Sequence, residues 1–122
     1  MKILLIGAGG FLGAISRYLM TQGAMTVFGN KIPYGTMIVN VLGSFIMGMV
    51  FVFAMEKTYI SEQMRFFIAV GFLGAFTTYS TFSLESISLL GKGTYGLAAV
   101  YIFGNLLLSI GAALAGIIVA RF

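Results

Sequence analysis

Gly71-Phe72-Leu73-Gly74-Ala75-Phe76-Thr77-Thr78-Tyr79-Ser80-Thr81-Phe82-Ser83-Leu84-Glu85 sets five serine and threonine residues, a tyrosine and a carboxylate inside a run otherwise apolar enough to lie in a bilayer. Hydrocarbon tolerates such polarity only where it serves something. A buried hydroxyl needs a partner, and irregular backbone at membrane depth survives only inside protein or beside a water-filled cavity. The stretch therefore reads as part of a device that moves something polar.

The composition around it agrees. Hydrophobic residues make up 60% of the chain and charged residues 8%, with a mean hydropathy of +1.07, far from the balance of a soluble domain. The 122 residues leave room for one domain, spanning 1–122. With neither cysteine nor histidine, disulfides, thiolate metal sites and the commonest general base are excluded. The only carboxylates are Glu56, Glu62 and Glu85, too few for paired-acid hydrolysis or a carboxylate-rich divalent site. The inventory argues against an enzyme. The net charge of +4 is spread over Lys2, Arg17, Lys31, Lys57, Arg65, Lys92 and Arg121. A nucleic-acid footprint would be clustered, so no nucleic-acid partner is expected; these charges flank membrane helices.

A spanning helix needs about 20 mostly apolar residues, and four such segments fit, at about 3–28, 33–55, 63–90 and 94–120. The first carries one charge ahead of its apolar run, is rich in glycine and continues past Arg17, so it reads as a span rather than a cleaved leader. Pro33 suits the first turn of the second. The connections at 57–62 and 91–93 are short, which makes successive helices antiparallel neighbours in a four-helix bundle. Gly7-Ala8-Gly9-Gly10-Phe11-Leu12-Gly13 only superficially resembles a dinucleotide loop, because Leu12 stands where the third glycine belongs and no strand precedes it. Small residues four apart, at Gly9/Gly13, Ser44/Gly48, Gly71/Ala75, Gly111/Ala115 and Ala112/Gly116, read instead as close helix packing. Tyr34, Tyr59 and Tyr95 fall near helix ends as interfacial anchors.

Four spans place Lys2, Lys57, Arg65 and Arg121 on one side of the membrane, and Lys31, Lys92 and the nearer Arg17 on the other. Orientation follows an excess of Lys and Arg on the cytoplasmic side. Four against three is almost no bias, so dual topology is expected.

Polar residues then mark a path. In the second span Thr36, Asn40, Gly43, Ser44 and Met47 share a side, and the Asn40 amide can donate to an anion. In the fourth, Tyr101, Asn105 and Ser109 form a second stripe. Either stripe can equally serve packing through an interhelical hydrogen bond. The run 77–81 competes with helical hydrogen bonding and predicts a local break. A break frees carbonyls for a cation and N–H groups for an anion at the start of the second half-helix. Tyr79 and Phe82 project from one side of that half-helix, where they either serve ordinary aromatic packing or turn electropositive ring edges to an anion. Arg17 and Glu85 are the ionisable residues deepest in apolar sequence. Arg17 either attracts anions at a vestibule or snorkels; Glu85 either pairs with it or accepts hydrogen bonds in a structural role.

The pattern resembles the Fluc, or CrcB, family of small fluoride channels. The resemblance rests on Gly10-Phe11-Leu12-Gly13-Ala14-Ile15-Ser16-Arg17-Tyr18, on Gly35-Thr36-Met37-Ile38-Val39-Asn40-Val41-Leu42-Gly43-Ser44-Phe45 and on the opening stretch, and covers nearly the whole chain. It implies an all-α membrane protein with a break in helix three, assembled as an antiparallel homodimer of dual-topology subunits in the plasma (inner) membrane. It further implies two fluoride pores and a structural sodium ion, Na+, at the dimer centre. By the same resemblance, backbone carbonyls of Gly74 and Thr77 hold the sodium, Asn40 lines the pore, and Tyr79 and Phe82 occupy the aromatic box. Tyr101, Asn105 and Ser109 continue a polar track, and Ser80 and Thr81 line the pore as well. The family usually has phenylalanine at both box positions. Tyr79 either adds a donor there or turns its hydroxyl away.

The expected activity is passive, fluoride-selective conduction. Proton-coupled multidrug efflux, also carried out by proteins with about four spans, needs a carboxylate in the first helix, where this chain has only Arg17. A non-transporting assembly subunit leaves the hydroxyl-rich stretch unexplained.

Overall fold

The computed structural model describes every residue from Met1 to Phe122 and is all helical. Four helices are long and apolar enough to cross a membrane: Lys2–Phe28, Tyr34–Glu56, Glu62–Gly91 and Tyr95–Arg121. They are called spans one to four. Pro33 sits just ahead of span two as its N-cap residue, one position earlier than its lack of an N–H leads one to expect. There the Tyr34 N–H donates to the Ile32 carbonyl instead.

Span three is the least regular. It starts at Ser61, whose hydroxyl caps the helix by accepting from the Met64 N–H, and passes through a wider π-helical stretch at Phe66–Leu73. After the short helix Gly74–Phe76, the backbone of Thr77 and Thr78 is extended, at φ −87°, ψ 157° and φ −150°, ψ 120° respectively. Helix resumes as Tyr79–Gly91, with the Thr78 hydroxyl accepting from the Thr81 N–H. A threonine at an N-cap in extended conformation supplies an acceptor for one of the four N–H groups that a helix start leaves unpaired.

The bundle shows hydrocarbon to its surroundings and buries some polarity beside Val39, Val52, Leu73 and Phe76. Leu107, Ile110, Leu114 and many other large apolar side chains are exposed, while Thr36, Thr78, Ser86 and Asn105 are buried. The exposed hydrocarbon follows from the solvent. Lipid gives no hydrophobic drive to hide leucine, so association rests on close packing and internal hydrogen bonds. Span two packs chiefly on span four, and span one on the first half of span three. Both contacts are made by small residues. A Cβ at Gly48 or Gly116 would run into the carbonyls of Ala113 and Phe45, and one at Gly9 or Gly13 into those of Phe67 and Phe72. A Cβ at Gly71 would also crowd the Ile6 carbonyl, at 2.7 Å. Gly111, expected to pack with Ala115, has nothing nearby; both are exposed, so that pair makes no contact within the subunit. At one end of the bundle Arg121 grips Glu56 with both Nε and Nη2, and Lys2 lies 3.5 Å from Glu62. These pairs are exposed and tie down chain ends with little energy.

Candidate functional site: a polar groove beside the extended turn

The extended backbone at Thr77 and Thr78 requires new partners for the groups it withdraws from the helix. Asn40 supplies them. Its Oδ1 accepts from the Thr78 N–H at 2.8 Å, and its Nδ2 donates to the Thr78 carbonyl at 3.0 Å. One primary amide thus clips both backbone groups of one residue. The Asn40 Nδ2 also donates to Asn105 Oδ1 at 3.2 Å, which joins spans two and four at the same level. Two polar atoms beside this network, Asn105 Nδ2 and Ser109 Oγ, are buried and have no hydrogen-bond partner.

These groups line a groove of about 330 Å³, together with Gly43, Ser44, Met47, Thr77, Tyr79, Phe82 and aliphatic residues of span four. Its walls hold no charged residue. Phe82 is 9% exposed, with its ring centroid 5.6 Å from both Tyr79 and Tyr101. The Tyr79 and Phe82 rings meet edge-on, at 63°. Tyr79 is 77% exposed on the open side of the groove, and its hydroxyl has no partner within the subunit.

Behind Phe82 lies a second polar cluster. Glu85 Oε1 accepts from Thr36 Oγ1 at 2.6 Å and from the Tyr101 hydroxyl at 2.8 Å. These two hydrogen bonds tie spans two and four to the second half of span three. Glu85 and Thr36 also line a cavity of about 150 Å³ with Thr21, Asn30 and Gly35, at the end of the bundle that carries Lys31.

Of the residues picked out from the sequence, Asn40, Thr77, Tyr79, Phe82, Asn105 and Ser109 converge on the groove. Tyr101 lies behind Phe82 and serves Glu85. Ser80 and Thr81 fall on the first turn of the second half-helix, outside the groove lining; Ser80 Oγ is 3.4 Å from Thr78 Oγ1. Gly74, exposed at the end of the first half-helix, is also outside the lining. Arg17 is half-buried and forms no ion pair with Glu85; Glu85 takes the hydrogen-bonding role instead. Neither the Thr78 cap nor the Asn40 clip on Thr78 was drawn from the sequence. The cap has a signal, a threonine at the head of a new helical run. The clip has none, because it links residues far apart in the chain.

A polytopic helical membrane protein whose polar groups line an internal groove belongs with channels and transporters rather than with enzymes. The chain matches the family described as CrcB-like protein, Camphor Resistance (CrcB), over residues 4–117. It is 46% identical to a protein of Caulobacter vibrioides over 98% of this chain and 95% of that one. It is 44% identical to one of Hahella chejuensis (98% and 94%) and 40% identical to one of Agrobacterium fabrum (99% and 97%). Each of these relatives is called fluoride-specific ion channel FluC. The protein is a member of the CrcB family and a multi-pass integral membrane protein.

Proposed function

We propose that the protein is a fluoride-selective channel that lets fluoride leave the cell passively across the plasma (inner) membrane. The observation that carries this reading is the groove itself. Neutral donors and ring edges line it, no carboxylate does, and two buried donors point to no protein acceptor. Fluoride is small and holds its water tightly, so entry requires close donors that replace the hydration shell. The Phe82 edge and the groove amides and hydroxyls are of that kind, and a bore narrow enough for fluoride alone would leave out chloride.

The reading is tested by efflux from liposomes loaded with fluoride or chloride. Fluoride is expected to leave far faster than from protein-free vesicles and chloride at background. Equal release of both ions would overturn the reading.

The open side of the groove, with Tyr79 projecting from it, is consistent with a second subunit closing it, as an antiparallel homodimer with two pores. The near balance of basic residues on the two faces supports insertion in both orientations. Cysteines placed at Lys31 and at Lys57 are therefore both expected to react with an impermeant maleimide in intact cells. Protection of one site alone would overturn dual topology.

The sodium ion suits the turn between the two halves of span three. In a continuous helix the Gly74 carbonyl would accept from the Thr78 N–H, and the Thr77 carbonyl from the Thr81 N–H. Those donors are turned to Asn40 Oδ1 and Thr78 Oγ1. Carbonyl oxygens released in this way are hard ligands of the kind sodium prefers. Gly74 and Thr77 would hold the ion, which would neutralise carbonyl dipoles meeting at the subunit boundary.

A further inference from the structure

We propose that Ile32, in the connection between spans one and two, is a positioning residue that acts through Phe82: it fills space behind that ring and so fixes the angle at which its edge meets the groove. The proposal rests on the fluoride reading and adds to it a residue outside both the groove and the polar network. The connection is built to turn one side chain inward. Span one ends at Gly29, whose φ of 79° suits a residue without a Cβ, and Asn30 and Lys31 are exposed. Ile32 is buried, at 8% exposure. Pro33 sets this turn. At φ −77° and ψ 71° it is the centre of an inverse γ-turn, closed by the Tyr34 N–H donating to the Ile32 carbonyl at 2.8 Å. Because the pyrrolidine ring fixes φ, that geometry is largely set before packing. The Phe28 and Tyr34 rings, with centroids 5.4 Å apart, join the two ends of the connection.

Ile32 belongs to one cluster of buried side chains with Phe82, Leu89, Ala98 and Tyr101. Phe82 therefore has two unlike sides. Toward the groove its ring meets Tyr79, which is largely exposed; away from it the ring is backed by the cluster, with the Tyr101 ring centroid 5.6 Å away. An exposed neighbour swings aside and cannot hold a ring. A close-packed cluster can, because no space is left for the ring to turn into. Leu89 lies on the same half-helix as Phe82, and Ala98 and Tyr101 lie on span four; Ile32 is the member brought in from outside the spans. Truncating it leaves a void, and a ring with room to turn no longer offers its edge at a constant distance.

Ile32→Ala is expected to lower fluoride efflux from liposomes about fivefold or more, and Ile32→Leu, which keeps the volume, to restore most of it. Val52→Ala truncates a fully buried aliphatic residue of span two outside the cluster; it is expected to lower the unfolding temperature and to leave efflux within about twofold of native. Native efflux in Ile32→Ala, or an equal fall in Ile32→Ala and Val52→Ala, would overturn the proposal. The ring itself can be followed. The chain has 12 phenylalanines, and after 4-fluorophenylalanine labelling the ¹⁹F signal of Phe82 is the one lost in Phe82→Leu. Ile32→Ala is expected to shift or broaden that signal and Val52→Ala to leave it in place; a Phe82 signal indifferent to Ile32→Ala would sink the idea. Should Ile32→Ala not give folded protein, Ile32→Val is expected to show the same changes in smaller measure. Absence of fluoride efflux from the native protein would instead defeat the channel reading, and the ring signal, which needs no fluoride, tells the two failures apart.

Discussion

Asn40→Asp is expected to suppress fluoride efflux by about 100-fold, because one substitution attacks both the path and the turn beside it. The new carboxylate can still accept from the Thr78 N–H. Its other oxygen, however, faces the Thr78 carbonyl and Asn105 Oδ1, where Nδ2 donated at 3.0 and 3.2 Å. Acceptor would meet acceptor, and a negative charge would stand where an anion must pass. Asn105 could relieve one clash by turning its amide over, but the Thr78 carbonyl would still face the carboxylate. The orphaned Thr78 carbonyl and the buried charge together cost roughly 3 kcal/mol, so a lower unfolding temperature in detergent is expected as well. Native efflux in this variant would remove Asn40 from the function.

Gly116→Ala is expected to cost at least about 2 kcal/mol of stability and to reduce the yield of monodisperse protein sharply. The added methyl would meet the Phe45 carbonyl, with Met49 N also close. Backbone cannot turn aside as a flexible side chain can, so span four would have to move off span two. Gly7→Ala is the matched control. It adds the same methyl to a helix but has no neighbour within 4 Å, and it is expected to hold or gain up to about 1 kcal/mol. Comparison of the two by thermal unfolding in detergent decides the point, since equal behaviour would show that the crossing tolerates a methyl and that contact distance does not set the packing.

Glu85 separates what was legible from what was not. Its depth in apolar sequence marked it as a residue needing partners, and two open choices were a salt bridge with Arg17 and a set of hydrogen bonds. Nothing in the sequence could choose between them, because Thr36 and Tyr101 reach Glu85 only once three spans are packed. Tyr101 shows the same limit from the other side. Spacing by four put it in line with Asn105 and Ser109, yet Phe82 lies between it and the groove, and its hydroxyl serves Glu85. Periodicity names the face of a helix but not what stands in front of that face.

The sequence alone determined the membrane setting, the four spans and the level of the polar stretch, because these depend on local composition and on the length needed to cross hydrocarbon. It also marked Asn40, Asn105 and Ser109, since isolated polar residues in apolar helices are few enough to stand out. Only the tertiary structure decided that Asn40 holds the chain by meeting both backbone groups of Thr78. That outcome follows from an extended turn at Thr77 and Thr78 whose exposed N–H and carbonyl must be satisfied. Asn40 meets them from another span, and its remaining N–H reaches Asn105 Oδ1.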